Sequence, residues 1–361
     1  MEPKNPVFKN IIESFERNTN SKKLLNSYTN FEKGDSKYFF SLSNKVLTFE
    51  RNLYKDVMDL SNLIIEYERR VAGLKIKSVK EYKIDNIVDQ IMIIGNSLGY
   101  NFRKQIIREV FKQQREPANE TEKLMLDIGN AFYSISSNNM DILTLSQKIT
   151  GYVGFRDFDV KINNAPITDY REIPERYSKI NKLIDNENIS PILVASFAFF
   201  FIREDKFFRA NNEMASVLFI EKLISRFIPR TIVELLPIVE IINRYNSYVS
   251  KYLDKTSETL DLTNSYVLLI AIINDAVVDK YNFLLENYNK ISSKRNMYDS
   301  KQKNYYVKIL LSKNPNLTKR QASFYIEHRD KDTFYTIEDF KNYTSSSYET
   351  SRTSLDNMSN I

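Results

Sequence analysis

Apolar residues recur along the first part of the chain at intervals of three, four and seven. In "LYKDVMDLSNLIIEYERRVAGL" they place Leu53, Val57, Leu60, Leu63, Ile64 and Val71 on one stripe. That is the spacing of an amphipathic helix with a core-facing side and a charged outer side. Gly73 follows the stripe, where a helix stop belongs. The chain up to about Lys75 therefore reads as helical. Three further helices are expected between Tyr82 and Thr150. "YKIDNIVDQIMIIGNSLGY" and "TEKLMLDIGNAFYSI" have the clearest apolar faces, and "MDILTLSQKITGYV" follows the turn-forming "SSNN" with Asp141 or Thr144 as its cap.

The period changes between Gly154 and Pro174. "GFRDFDVKINNAPITDYREI" alternates around "DVKIN", turns at "NNAP" and resumes at "ITDYREI". This is the one β-hairpin the pattern predicts, and Pro166 argues against a central strand there. Helices return at Pro174 with "PERYSKINKLIDNE". The apolar run "PILVASFAFFFI" follows, Pro191 to Ile202. It is shorter than the roughly 20 residues needed to span a bilayer, so it reads as a buried helix. "KFFRANNEMASVLFIEKL" then crosses two asparagines into another apolar helix. After Pro229 come two long helices, "RTIVELLPIVEIINRYNSYVSKYL" and "NSYVLLIAIINDAVVDKYNFLLENYNKI", the first kinked at Pro237.

"SSKRNMYDSKQ", Ser292 to Gln302, is polar and basic and reads as a linker. Beyond it "KNYYVKILLSK" is a helix, and "NPNLTKRQASFYIEHRD" is a second with Thr318 as cap. "YTIEDFKNYTSSSYETSRTSLDNM" reads as helix, turn, helix, with Thr336 capping the first and Ser346 or Ser347 the second. Helix-turn-helix elements bind DNA, dimerise or simply pack.

The totals narrow the chemistry. The 361 residues allow two or three domains of ordinary soluble composition, 42% apolar and 27% charged. Seven glycines leave little Gly-rich loop, which speaks against dinucleotide-binding and P-loop folds. With no cysteine there is no disulfide, thiolate zinc site or cysteine nucleophile. The single histidine, His328, excludes a His-rich metal site and reads as a surface or capping residue in "YIEHRD". A net charge of +6 permits a nucleic-acid partner without requiring one. No apolar core follows "MEPKNPVFKN", so no secretory signal is expected; a cytoplasmic location without membrane association is.

The order of helical bundle, hairpin, buried helix, loop and helix resembles the core of the Fic (Fido) family of nucleotidyl-transferring proteins. "GFRDFDVKINNAPITDYREIP" is similar to that family's flap hairpin, and "SPILVASFAFFFI" to the helix leading into its catalytic loop. The resemblance implies a mainly α fold: a Fic-like helical bundle with one small β-hairpin, the flap, and a C-terminal helix-turn-helix or winged-helix-like region. It divides the chain into an N-terminal helical region (1–119), a Fic-like core with the following long helices (120–291), the linker (292–302) and a C-terminal domain (303–361).

The family motif at the loop is H-x-F-x-[D/E]-G-N-G-R-x-x-R. Its His is the base, its acid holds Mg²⁺, its glycines open a backbone anion cradle and its arginines grip phosphate. Aligned with "KFFRANNEMASV", Lys206 stands at the His and Phe208 matches the Phe. Ala210 replaces the acid, and Asn211 and Glu213 flank a matching Asn212 in place of glycines. Met214 and Val217 replace the arginines. A second register puts Arg203 at the His and matches less. The family's inhibitory helix, [S/T]-x-x-x-E-[G/N], corresponds to "ERRVAGL", with Glu68 and Ala72 departing and Gly73 retained.

The resemblance therefore implies a catalytically degenerate protein that acts by binding, without a cofactor, as a DNA-associated regulator or a docking scaffold. Its partners would be duplex DNA, another protein or a second copy. The C-terminal segment resembles a winged-helix region with "YETSRTSLDNM" as recognition helix. Tyr348, Thr350, Ser351, Arg352 and Ser354 would face DNA, with Lys319, Arg320 and Lys341 on the backbone. The wing hairpin is not written in the residues up to Ile361, which keeps oligomerisation as the other role. The alternative function is a divergent transferase acting on a protein hydroxyl. It would use ATP or another nucleotide, or a nucleotide sugar, with Mg²⁺, through Lys206, Arg209, Asn212 and Glu213.

Overall fold

The computed structural model describes residues 7–17, 25–72, 76–111, 115–135, 143, 147, 152–162, 165–184, 186, 189–328 and 335–358. Those residues are mainly helical with two antiparallel strand pairs. Chain contacts divide them into two units, Met1–Leu285 and Glu286–Ile361.

In the first unit, α1 (Val7–Arg17) is held by Phe8, whose ring stacks on Tyr245 at 4.0 Å and whose amide donates to Asp275 Oδ1 at 3.2 Å. Strands β1 (Leu25–Lys33) and β2 (Ser36–Leu42) then form a hairpin whose turn carries Gly34 at φ +60°. The expectation of helix throughout to Lys75 is wrong here. Strand formers (Tyr, Thr, Phe) flank a Gly-Asp turn, and local propensity outweighs the helical period that begins only later. The outer edge of β2 is closed by Phe39, which donates to the Leu260 carbonyl at 3.0 Å and accepts from the Leu262 amide at 2.8 Å. Helix α2 (Asn44–Val71) starts at Ser43, whose side chain accepts from the Val46 amide, and all six residues of the sequence stripe are buried along it.

Next come α3 (Val79–Ser97), opened by a Ser78–Glu81 capping box, then α4 (Lys104–Phe111) and α5 (Glu120–Ile135). Of "MDILTLSQKITGYV" only residues 143 and 147, both helical, and 152–153 are described; its Asp141 and Thr144 caps, like Gly73, lie outside the described residues. The hairpin predicted around "DVKIN" is present as a minimal pair, β3 (Lys161–Ile162) with β4 (Ala165–Pro166). It is the second hairpin of the chain rather than the one.

A short 3₁₀ turn (Tyr170–Glu172) leads into α6 (Ile173–Ile184). Ser190 caps α7 (Pro191–Glu204), which is buried on every side from Ile192 to Ile202 and packs along α8 (Asn212–Ile224). Pro237 does more than kink a helix. The stretch expected as one helix is three: α9 (Arg230–Val233), α10 (Ile238–Arg244) and α11 (Asn246–Thr259). Pro237 precedes α10 as its cap residue, because proline has no amide to donate and disfavours helical geometry in the residue before it. Helix α12 (Thr263–Lys313) begins with a fully buried run from Leu268 to Val277.

The polar residues 292–302 lie inside α12 and not in an irregular linker. The stretch has neither Gly nor Pro, and Ser, Lys, Arg, Met and Gln all tolerate helix. In the second unit α13 (Lys319–His328), α14 (Ile337–Thr344) and α15 (Tyr348–Met358) gather around Leu317, Phe324, Phe340 and Met358. The caps match the sequence reading. Thr318 exchanges hydrogen bonds with Gln321, Thr336 forms a capping box with Asp339, and Ser347 accepts from the Thr350 amide. No helix among the described residues is long and apolar enough to cross a membrane.

Candidate functional site

The loop between α7 and α8 carries the residues the sequence singled out, and its shape follows from a few contacts. Asp205 ends α7, with its amide donating to the Phe201 carbonyl. Lys206 and Asn211 then take left-handed backbone conformations, φ 51° and 56°, which non-glycine residues adopt at a cost. Between them Phe207 and Phe208 are buried, and both rings lie against Phe155. Asn212 closes the loop on itself: Oδ1 accepts from the Phe208 amide at 2.8 Å and Nδ2 donates to the Phe208 carbonyl at 2.9 Å.

Arg156 fastens this loop to the β3–β4 region. It is buried, and the groups its guanidinium bonds are carbonyls. It donates to those of Lys206 (2.9 Å), Asp205 (3.2 Å), Phe158 (2.5 Å) and Thr168, while its own amide donates to Phe207. Burial pulls the guanidinium's pKa down, opposed by Asp159, Asp205 and Asp169. Asp205 beside it accepts from Thr168 Oγ1 at 2.5 Å and from Arg176 at 3.0 Å. Burial pushes this carboxyl up, against the pull of Arg176 and Thr168. Arg176 also donates to the Glu32 carbonyl, so one cation ties α6, α7 and the β1–β2 hairpin together. These three residues escaped the sequence reading. The available signal was the pair of charges inside "GFRDFD" and "FIREDKFF", where apolar neighbours imply burial.

The motif positions now have places. Phe208 and Asn212, the two that match, shape the loop. The two that should grip phosphate, Met214 and Val217, are 8% and 3% exposed and face the core. Ala210 has no donor atom for a metal, and Glu213 is exposed. Arg209 is held by Asp157 at 2.5 Å and lies over the Tyr152 ring. Arg203, from the second register, donates to Ser216 Oγ at 3.0 Å and lies over Phe199; burial pulls its pKa down to about 10. These residues do not fit a Mg²⁺-nucleotide bound as the motif binds it. Of the residues aligned with an inhibitory helix, Glu68 accepts from the Val79 amide at 2.7 Å and serves as a cap for α3, while Ala72 ends α2.

A cleft of about 630 Å³ opens beside this loop but is lined by none of Lys206 to Val217. Its walls carry six carboxylates (Asp169, Glu172, Glu204, Asp205, Asp254, Glu258) against Lys33 and Arg176. A polyphosphate entering it meets an excess of like charge.

In the second unit Lys319, Arg320, Lys341, Tyr348, Thr350 and Arg352 are exposed. Ser351 is a correction to the DNA-facing set. It is fully buried, bonded to the Ser347 carbonyl and to Ser346, because it lies on the face of α15 that meets α14. Ser354, one turn on, is half-buried. His328, expected as a surface or capping residue, takes the capping role at the end of α13. It stacks on Phe324 at 4.1 Å, lies edge-on to Tyr335 and Tyr343, and donates from Nδ1 to the Phe324 carbonyl.

No protein-family model and no curated protein matches the chain. Among solved structures, similarity extends to a Fic family protein from Desulfovibrio desulfuricans G20, at 14% identity over 84% of this chain and 88% of that one, TM-score 0.45. A Fic domain containing signaling protein from Bacteroides thetaiotaomicron VPI-5482 is 10% identical over 64% of this chain and 97% of that one, TM-score 0.48. Fic-1 (residues 134–508) from C. elegans is 14% identical over 68% and 76%, TM-score 0.45.

Proposed function

We propose that this chain is a Fic-like protein without transfer chemistry that works by binding, with duplex DNA as the partner its second unit takes. The observation that carries the first half is the split at the motif. The residues that build the loop, Phe208 and Asn212, remain bonded to each other, while the phosphate-gripping positions Met214 and Val217 are packed into the core. Arg209, which a rebuilt donor site would need, is bound to Asp157.

Charge supports the second half. Residues 286–361 hold thirteen Lys and Arg against nine Asp and Glu, so +4 of the chain's +6 belongs to about a fifth of its length. Exposed Lys319, Arg320 and Lys341 lie on α13 and α14 and supply phosphate contacts; Tyr348, Thr350 and Arg352 on α15 supply a polar reading face. Docking of a protein on the same helices is the other form of this reading.

The test is fluorescence anisotropy of a labelled duplex with the full chain across a salt series. Binding should weaken steeply with salt, and the Lys319→Glu/Arg320→Glu variant should reduce the log–log slope by about 0.9 for each phosphate it no longer neutralises. Absence of binding at low salt rules out the DNA form. Calorimetric titration with ATP and Mg²⁺, then with a nucleotide sugar, tests the rest, since heat from any donor reopens the transferase reading.

A further inference from the structure

A second cleft, of about 380 Å³, lies between the β1–β2 hairpin and helices α6 and α7 and shares no lining residue with the motif loop or the acidic cleft. Its inner wall is hydrocarbon. Phe31 and Phe197 are each 2% exposed and meet edge to face at 6.4 Å, Phe40 tilts against Phe197 at 6.1 Å, and Leu193 and Leu183 complete it. The one hydroxyl there, Thr29 Oγ1, is already satisfied, donating to the Tyr38 carbonyl at 2.8 Å and accepting from the Phe31 amide. The interior therefore offers mainly packing surface, and the other uncharged polar lining residue, Asn30, is exposed.

The mouth is different. Lys179 and Lys182 reach it from one side of α6, three residues apart. Lys179 is paired with Glu175 at 3.0 Å, and Glu32 on the hairpin is paired with Lys37 at 3.6 Å. Lys182 is exposed and makes no ion pair or hydrogen bond among the described residues, although Glu175 two turns back feels its charge; among those residues the α6 side of the rim thus sets two ammoniums against one carboxylate, an excess of one cation.

An apolar slot of ligand size with an excess cation at its edge selects a molecule built the other way round. The geometry points to a binding site for a small amphipathic carboxylate, with its alkyl or aryl body among Phe31, Phe40, Phe197 and Leu193 and its anionic end at Lys182. The site is independent of the DNA-binding reading, and it shares no lining residue with the motif loop.

The experiment titrates the full-length protein with decanoate, decylammonium and decanol by calorimetry, with circular dichroism confirming that each variant is folded. Decanoate should bind once per chain and about tenfold more tightly than decylammonium, the scale of one partly screened charge pair. Lys182→Glu, on an exposed position, should erase or reverse that preference while leaving decanol unchanged. Leu183→Phe, which fills the half-buried wall, should abolish binding of all three. The proposal is overturned if decanoate does not bind, if decanoate and decylammonium bind alike, or if Lys182→Glu leaves the preference intact. Binding of a Phe-containing acidic peptide without any binding of decanoate also overturns it, and assigns the groove to protein docking.

Discussion

Asn212 and Phe208 form a closed pair: one carboxamide both accepts from and donates to the backbone of a residue four positions earlier, at 2.8 and 2.9 Å. The bond pair spans the whole turn into α8, so the loop geometry rests on this side chain. Its role here is architectural.

Asn212→Ala should therefore cost stability rather than activity. Two buried backbone groups are left without a partner, and a destabilisation of about 1–3 kcal/mol is expected from chemical denaturation. Asn212→Asp, which keeps the acceptor but sets a carboxylate oxygen against the Phe208 carbonyl, should be at least as damaging. An unchanged denaturation midpoint in both variants would contradict the closed-loop assignment.

Placing arginines at positions 214 and 217 should fail for a physical reason. Val217 is 3% exposed within α8, and Val217→Arg forces a guanidinium into a packed apolar space. A destabilisation of about 3 kcal/mol or more is expected by urea unfolding. Met214→Arg, at a position only 8% exposed, should behave similarly though less severely, because its longer reach lets the head approach solvent. Wild-type stability in Val217→Arg would mean that this face of α8 opens readily to water.

Glu221 gives the pH prediction. It is 4% exposed on α8, its Oε1 has no hydrogen-bond partner among the described residues, and burial pushes its pKa well above the ordinary value of 4.5. The folded state therefore holds a proton that the unfolded state releases near pH 4.5. Its contribution is fully present below that pH and is lost as pH rises toward the folded value. Glu221→Gln keeps the shape and removes the titration. The two proteins should melt alike near pH 4, and the variant should lead by at least about 2 °C at pH 8, measured by thermal scans. Parallel melting curves across that range would mean that Glu221 is already hydrated in the folded chain.

Several elements were legible before any tertiary structure. The stripe from Leu53 to Val71, the buried run at Pro191–Ile202 and the caps at Thr318, Thr336 and Ser347 all depend on spacing or on one side chain within three residues of its partner. The hairpin at 25–42 was missed where strand propensity was local but the reading ran on from a helical neighbour. Residues 292–302, expected as a linker from their polarity, lie within a helix, and polarity alone does not end one.

What the sequence by itself determined is a mainly helical chain in which a buried apolar helix runs into a polar loop, since periodicity is a property of neighbouring residues. Only the tertiary structure decided how that loop is built. Whether Met214 and Val217 face a ligand or the core, whether Arg209 is free or bound to Asp157, and that Arg156 anchors four carbonyls all depend on which distant segment packs against them. The same holds for Ser351, polar in sequence and fully buried in the fold. A side chain's chemistry is written in its own codon, but its solvent, its partner and so its role are set by residues far along the chain.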